Sequence, residues 1–144
     1  MKIGLANDHR GYRAKNFLKD SLYMHEVIDY GADTEDSTDF PEYAKKLGTA
    51  INNGEVDLGI AICGTGIGMS ITLNKMKGIY CAKVSSVSEA TLSRAHNNAN
   101  VIALSEELSE ELMLDIVQKF IDTPFSNVIK YVRRNNMIKE IEND

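Results

Sequence analysis

The sequence has few cysteines, no excess of positive charge and no long apolar run, and each shortage excludes a class of protein. Its only cysteines, Cys63 and Cys81, lie in apolar runs, so we expect a reducing compartment rather than a disulfide scaffold. A net charge of −5 argues against a general nucleic-acid binder, which needs a basic face. No run is long enough to span a bilayer, and residues 1–6 are too short for the core of a signal peptide. We therefore expect a cytoplasmic protein that binds neither nucleic acid nor membranes.

The apolar residues alternate between short buried runs and longer segments with helical spacing. The short runs cover 2–6, 27–30, 57–62, 79–84 and 100–104, and the helical segments cover 11–24, 40–53, 67–76, 87–97, 108–121 and 127–142. Apolar strands separated by helices are typical of a parallel sheet that is covered on both faces. The pattern predicts a single α/β domain over residues 1–144. We expect a Rossmann-like, doubly wound, five-stranded parallel sheet in three α/β/α layers, with an extra C-terminal helix.

A glycine-rich segment, Cys63-Gly-Thr-Gly-Ile-Gly68, follows the third predicted strand and leads directly into a helix near Ile67. We call residues 63–68 the glycine loop. Three glycines in five residues allow close approach of a ligand and several inward N–H groups, and the helix N-terminus adds a positive dipole end. The loop has neither the Gly-Lys-Ser/Thr of a Walker sequence nor the spacing of a dinucleotide fingerprint. It predicts an anion site at the carboxyl end of a strand, where open α/β sheets bind their ligands.

Cys63 begins this loop, and a helix N-terminus favours the anionic form of a cysteine. A thiolate there could remove a proton from carbon while nearby N–H groups stabilise the resulting oxyanion. A buried cysteine beside a tight turn explains the spacing equally well. Cys81, inside an apolar strand, is expected to be structural.

Two further polar segments lie at strand ends. Asp8-His9 follows the first strand, where the pair suits proton transfer and anion binding, although Asp8 could instead cap the following helix. His96 and Asn97 precede the fifth strand, at the opposite edge of the sheet from Cys63. A catalytic His96 would therefore serve the site of a neighbouring subunit. Taken alone, the pattern favours a helix C-cap with an asparagine in the left-handed conformation.

The last predicted helix carries a basic face. Lys130 and Arg134 are four residues apart and so share one side of the helix, with Arg133 beside them. Such a face can hold a phosphate, or it can simply be solvated.

Taken together, these segments resemble ribose-5-phosphate isomerase B and the wider sugar-phosphate isomerase family, which includes galactose-6-phosphate isomerases. The resemblance covers nearly the whole chain in the same order. The matching segments are Asp8-His9 with Gly11, Asp39–Glu42, Asp57–Ser70, Asn74-Lys75, Arg94–Val101 and the basic C-terminal helix.

The resemblance implies a cofactor-free, metal-free interconversion of an aldose phosphate and a ketose phosphate through an enediolate. Cys63 would be the base and Thr65 would assist at the sugar oxygens. The enediolate would be stabilised by the loop backbone, at Gly64, Gly66, Ile67 and Gly68.

The resemblance also implies roles for residues outside the glycine loop. Asp8 and His96, with Asn97 beside them, would open the sugar ring. The phosphate would be held by His9, Lys130 and Arg134. The resemblance further implies a homodimer with shared active sites, which could assemble into a tetramer. We expect the helix at about 127–142 to pack at the dimer interface.

The chain departs from the family at positions that hold the anion. Lys130 replaces an arginine, Tyr131 replaces a histidine, and Glu107 replaces an arginine that commonly follows the fifth strand. Lysine lacks the bidentate fork of arginine, and glutamate repels a phosphate. Isomerisation of ribose 5-phosphate is the leading hypothesis. The alternatives are an isomerase for allose or galactose 6-phosphate or an unphosphorylated sugar, a non-catalytic sugar-phosphate-binding module, and an α/β interaction domain.

Overall fold

Five strands alternate with helices along the chain in the structure, a computed structural model that describes residues 1–144. The strands are β1 (Lys2–Asn7), β2 (Glu26–Asp29), β3 (Leu58–Cys63), β4 (Cys81–Lys83) and β5 (Val101–Ser105). The helices are α1 (Tyr12–Ser21), α2 (Phe40–Asn52), α3 (Ile67–Asn74), α4 (Val87–Ala95), α5 (Glu110–Asp122) and α6 (Ile129–Glu142). None of them is both long enough and apolar enough to cross a membrane.

All five strands are parallel and form one sheet in the order β2-β1-β3-β5-β4. The predicted α/β fold with a five-stranded parallel sheet is confirmed. The first helix differs in its bounds from the predicted 11–24, because a 3-10 turn at His9–Gly11 precedes α1 and the helix ends at Ser21. The order of the sheet places β3 between β1 and β5, so the loops that follow these three strands are neighbours.

The two faces of the sheet carry side chains of different size. One face presents large aliphatic residues to α1, α4 and α5, and the other presents small residues to α2 and α3. The large residues are Ile3, Leu5, Ile60, Ile62, Ile102 and Leu104, and the small ones are Gly4, Ala6, Gly59, Ala61 and Ala103. A Cβ at Gly4 would lie only 2.6 Å from Leu47 Cδ1 of α2. The small residues therefore let α2 pack close to the strands that lead to the glycine loop.

The outer edge of the sheet at β4 is closed by a side chain. Asn74, the last residue of α3, donates from Nδ2 to the carbonyl oxygen of Cys81 at 2.9 Å. The Cys81 N–H donates to Asn74 Oδ1 at 2.8 Å. The Asn74 side chain thus pairs with the outward-facing backbone groups of Cys81 as a neighbouring strand would.

The last helix, α6, lies outside the three layers at the amino edge of the sheet. Asn135 Nδ2 donates to the carbonyl oxygen of His96 at 2.8 Å, and the Gly78 N–H donates to Glu142 Oε1 at 3.2 Å. No residue of α6 is buried, and its apolar side chains remain exposed, Ile129 at 81% and Ile141 at 69%. The predicted extra C-terminal helix is present, and it buries little against its own chain.

Gly11 provides the first testable consequence of this packing. A Cβ at Gly11 would lie 2.7 Å from the carbonyl oxygen of Ile62, which is backbone and has no freedom to move aside. We expect Gly11→Ala to lower the free energy of unfolding by about 1–3 kcal/mol in urea denaturation, because the start of α1 must shift away from β3. Gly64→Ala is the control, since its methyl would meet Arg10 at an ordinary 3.6 Å. Equal stability of the two variants would contradict this reading of the contact.

Candidate active site

Three loops meet at the carboxyl edge of the sheet because the backbone ladder continues past the ends of the strands. The Asp8 N–H donates to the carbonyl oxygen of Ile62 at 3.3 Å, and the Glu106 N–H donates to that of Cys63 at 3.0 Å. The loops after β1, β3 and β5 are therefore held side by side. The glycine loop lies in the middle.

Cys63 is the last residue of β3 and is 4% exposed. Its Sγ atom accepts a hydrogen bond from the N–H of Gly66 at 3.2 Å. That bond turns the loop back over the sulfur and gives Sγ a backbone donor.

The rest of the glycine loop has a conformation that depends on glycine at one position. Gly66 has φ +82°, and a Cβ there would lie 3.1 Å from the backbone carbon of Leu104. Both the left-handed conformation and the close approach exclude a side chain. The loop and the first turn of α3 leave four N–H groups without a hydrogen-bond partner in the chain, those of Gly64, Thr65, Gly68 and Met69.

Thr65 is exposed at the tip of this loop. Its Oγ1 accepts a hydrogen bond from the N–H of Ile67 at 3.1 Å. Because Oγ1 accepts from the backbone, the hydroxyl hydrogen is free to donate to a ligand oxygen. The loop therefore offers backbone and hydroxyl donors beside one sulfur atom.

Asp8 is buried and acts as an N-cap, the alternative that its position in the sequence left open. Its Oδ1 accepts from the N–H groups of Arg10 at 2.9 Å and Gly11 at 3.3 Å. Its other carboxylate oxygen, Oδ2, has no hydrogen bond within the chain. Capping occupies one oxygen and leaves one available.

His9 is fixed by Thr38, in the loop between β2 and α2. The Thr38 N–H donates to His9 Nδ1 at 3.1 Å, and the His9 N–H donates to Thr38 Oγ1 at 2.9 Å. Since Nδ1 accepts, the neutral ring carries its hydrogen on Nε2, which becomes a directed donor. Thr38 was not among the residues predicted from the sequence.

A second contact that the sequence did not predict joins Arg10 to Glu106. Arg10 donates to Glu106 Oε1 from Nε at 3.2 Å and also from Nη2. The hydrogen bond and charge of Glu106 raise the pKa of Arg10, with smaller contributions from Glu107 and Asp8. Arg10 directly follows the predicted Asp8-His9 pair, so its sequence position was the one available signal.

His96 and Asn97 lie at the opposite, amino edge of the sheet, as predicted. The N–H of His96 caps α4 by donating to the carbonyl oxygen of Leu92, and Asn98 has φ +49°. The alternative of a C-cap with a left-handed asparagine is thus confirmed as local structure. Arg94 holds this turn by donating to the carbonyl oxygens of Ala99 and Thr123.

The basic residues of α6 surround an aromatic pair at this edge. The rings of His96 and Tyr131 stack with centroids 4.2 Å apart and an interplanar angle of 22°. Lys130 Nζ lies 5.1 Å, and Arg134 Cζ 5.9 Å, from the Tyr131 centroid. Lys130 and Arg134 therefore bring two positive charges to the stacked pair of His96 and Tyr131, and we call these four residues the His96 cluster.

The predicted site residues thus form two groups within one subunit. Asp8, His9, Cys63 and the glycine loop share the carboxyl edge, whereas the His96 cluster occupies the amino edge. A strand of five or six residues separates the edges by roughly 17–20 Å. One sugar phosphate cannot contact both groups of a single subunit. No group of three or more His, Cys, Asp or Glu side chains is arranged to hold a metal ion.

The fold and this edge define a parallel α/β protein with a sulfur atom and a glycine loop beside the switch in strand order. Comparison with known proteins gives the same class. A sequence model described as Ribose/Galactose Isomerase matches residues 3–138. The chain is 40% identical over 123 residues to ribose-5-phosphate isomerase B of Escherichia coli, covering 84% of this chain and 80% of the relative.

Solved structures agree over nearly the whole length. Ribose-5-phosphate isomerase B of Clostridium thermocellum superposes with a TM-score of 0.96 at 40% identity, covering 99% of this chain and 98% of that one. The Mycoplasma genitalium ribose-5-phosphate isomerase B, whose structure contains ribulose-5-phosphate, gives 0.93 at 33% identity, covering 99% and 97%. The chain belongs to the ribose/galactose isomerase family of sugar-phosphate isomerases.

The second cysteine differs from Cys63 in its surroundings, and this difference is testable. Burial raises the pKa of the Cys81 thiol to about 12, although a hydrogen bond with Ser70 acts in the opposite direction. At pH 8.5 roughly one Cys81 in a thousand or fewer is a thiolate. In a Cys63→Ala background we expect iodoacetamide to leave the folded protein unmodified and to alkylate it once in urea, as measured by mass. Rapid alkylation of the folded protein would show that Cys81 is ionised.

Proposed function

We propose that the protein interconverts ribose 5-phosphate and ribulose 5-phosphate, with Cys63 as the base. One observation carries the proposal: four unpartnered N–H groups lie on the glycine loop and the first turn of α3, and Gly66 of this loop donates to Cys63 Sγ at 3.2 Å. Aldose–ketose isomerisation needs a base and an oxyanion site close together. The glycine loop supplies both.

In this reaction Cys63 Sγ removes the proton from C2 of the open-chain aldose. The electron pair forms the C1–C2 double bond of an enediolate, and the negative charge falls on oxygen. The accessible N–H groups of Gly64, Thr65 and Gly68 stabilise that charge. The thiol then returns the proton to C1, while a proton moves between O2 and O1 with the Thr65 hydroxyl assisting. No other reactant is consumed.

Ring opening and phosphate binding are proposed to require a second copy of this chain. Asp8 keeps Oδ2 available at one edge, and His96 with Asn97 lies at the other, so they can meet only across subunits. His9 Nε2 would bind the phosphate together with Lys130 and Arg134 of the second copy. We propose that α6 packs at this interface, because its exposed Ile129 and Ile141 side chains favour burial against another subunit. A tetramer built from such dimers keeps the same site.

The pentose is favoured by the ribulose-5-phosphate bound in the Mycoplasma genitalium relative. A six-carbon substrate, such as allose or galactose 6-phosphate, is the second candidate. Lys130, Tyr131 and Glu107 do not select the pentose, because their chemistry differs from the arginines and histidine expected for the phosphate site. Lys130 provides one point charge without a planar fork, and Tyr131 is committed to stacking on His96.

The direct test measures kcat/KM over pentose and hexose substrates, each with and without phosphate, and then replaces the base. We expect ribose 5-phosphate to be the best substrate. Cys63→Ala should lower kcat by about 10²–10⁴-fold, the usual contribution of a general base. Cys81→Ala is the matched control and should retain kcat, since Cys81 lies outside the site.

Three results would contradict the proposal. An unchanged kcat in Cys63→Ala removes Cys63 as the base. Preference for a hexose phosphate moves the assignment to the second candidate. Binding without turnover, and without exchange of the C2 proton in deuterated water, makes the protein a binding module.

Sharing of the site predicts complementation between inactive variants. Cys63→Ala and His96→Ala each disable both sites of their own homodimers. A mixed dimer contains one site with both substitutions and one with neither. Unfolding and refolding an equimolar mixture should therefore restore roughly a quarter of the wild-type activity if the subunits pair at random. Activity that stays at the level of the separate variants, although mass spectrometry detects mixed dimers, would exclude a shared site.

A further inference from the structure

An ion pair crosses the carboxyl edge directly at the glycine loop. Arg10 belongs to the turn after β1, and Glu106 to the turn after β5, on either side of β3. Their side chains meet between Arg10 Nε and Nη2 and the single oxygen Glu106 Oε1. The pair therefore spans the end of the strand that carries Cys63.

The guanidinium group lies against the glycine loop itself. A Cβ at Gly64 would lie 3.6 Å from both Cζ and Nη1 of Arg10. The third nitrogen, Nη1, has no hydrogen-bond partner in the chain, so its two hydrogens remain available on the Gly64 side. The Arg10 side chain is 53% exposed and can be reached from solvent.

This arrangement is poorly explained by stability alone. Exposed ion pairs contribute little to folding, because water screens both charges and ordering the side chains costs entropy. The contact uses a single carboxylate oxygen and so lacks the two-point geometry of the strongest arginine–carboxylate pairs. Glu106 thus holds Arg10 beside the glycine loop and leaves the Nη1 hydrogens of Arg10 without a partner.

We propose that Arg10 binds the anionic end of the substrate, with Glu106 as its internal competitor. This inference rests on the proposed function, in which the substrate is a sugar phosphate, and it adds Arg10 to His9 as a ligand of the phosphate. In the empty site Glu106 holds the guanidinium. A phosphate dianion carries more charge and more acceptor oxygens than one carboxylate, so it takes over Nη1 and competes for Nη2.

The competition also provides specificity. An unphosphorylated sugar has no charge with which to displace Glu106, so it gains at most a neutral hydrogen bond from Nη1 of Arg10. A phosphorylated sugar gains a charged, planar donor. The acidic neighbours Glu106 and Glu107 oppose any anion that does not engage Arg10.

Arg10→Ala and Arg13→Ala form a matched pair for testing this proposal. Arg13 is also an exposed arginine with one glutamate partner, Glu35 at 3.1 Å. We expect Arg10→Ala to raise KM for ribose 5-phosphate about 10- to 100-fold with little change in kcat, the usual loss for a charged hydrogen bond. Glu106→Gln should lower KM several-fold, and Arg13→Ala should leave it unchanged. Turnover of unphosphorylated ribose, where detectable, should not distinguish Arg10→Ala from wild type.

Calorimetric titration of the folded proteins with inorganic phosphate tests the role of Arg10 independently of the isomerase activity. Weaker phosphate binding in Arg10→Ala than in Arg13→Ala supports the role of Arg10, even if wild-type protein fails to isomerise ribose 5-phosphate. Equal phosphate binding by wild type and Arg10→Ala overturns it, as does a wild type that binds no phosphate. A rise in kcat or KM shared equally by Arg10→Ala and Arg13→Ala also counts against it.

Discussion

The parallel ladder through β1, β3 and β5 is the constraint on which the site depends. It continues beyond the strands through the bonds from Asp8 to Ile62 and from Glu106 to Cys63. Those bonds place a carboxylate, a thiol and an ion pair at one height along the sheet. Small residues on one face then let α2 pack close to the strands that lead into the glycine loop, within which α3 begins at Ile67. The geometry around Cys63 is thus set mainly by backbone packing, with few side chains involved.

Much of this arrangement could be predicted from the sequence because it is local. Apolar runs of strand length separated by helical segments determine the α/β class, and the glycine loop follows its strand directly. The location of His96 at the far edge followed from its position before β5. The contacts of His9 and Arg10 could not be found in this way. Thr38 lies 29 residues from His9, and Glu106 lies 96 residues from Arg10, so the fold alone brings them together.

Asp8 and His96 each have a structural role in this subunit that is compatible with the chemical role proposed for them. Asp8 is an N-cap with one carboxylate oxygen free. His96 is the C-cap of α4, and its ring stacks on Tyr131. Capping fixes the backbone of each residue and thereby the direction of its side chain. A structural role in one subunit is therefore compatible with a chemical role across two.

The pairing of Asn74 with Cys81 has a consequence for behaviour at high concentration. A strand at the border of a sheet offers unpaired N–H and carbonyl groups that can recruit a strand from another molecule and start aggregation. Here the border strand has only three residues, and an amide side chain already occupies the outward donor and acceptor of its first one. Little backbone is left to template such growth. The strand also ends in the exposed Lys83, so an amide at one end and a positive charge at the other protect this border.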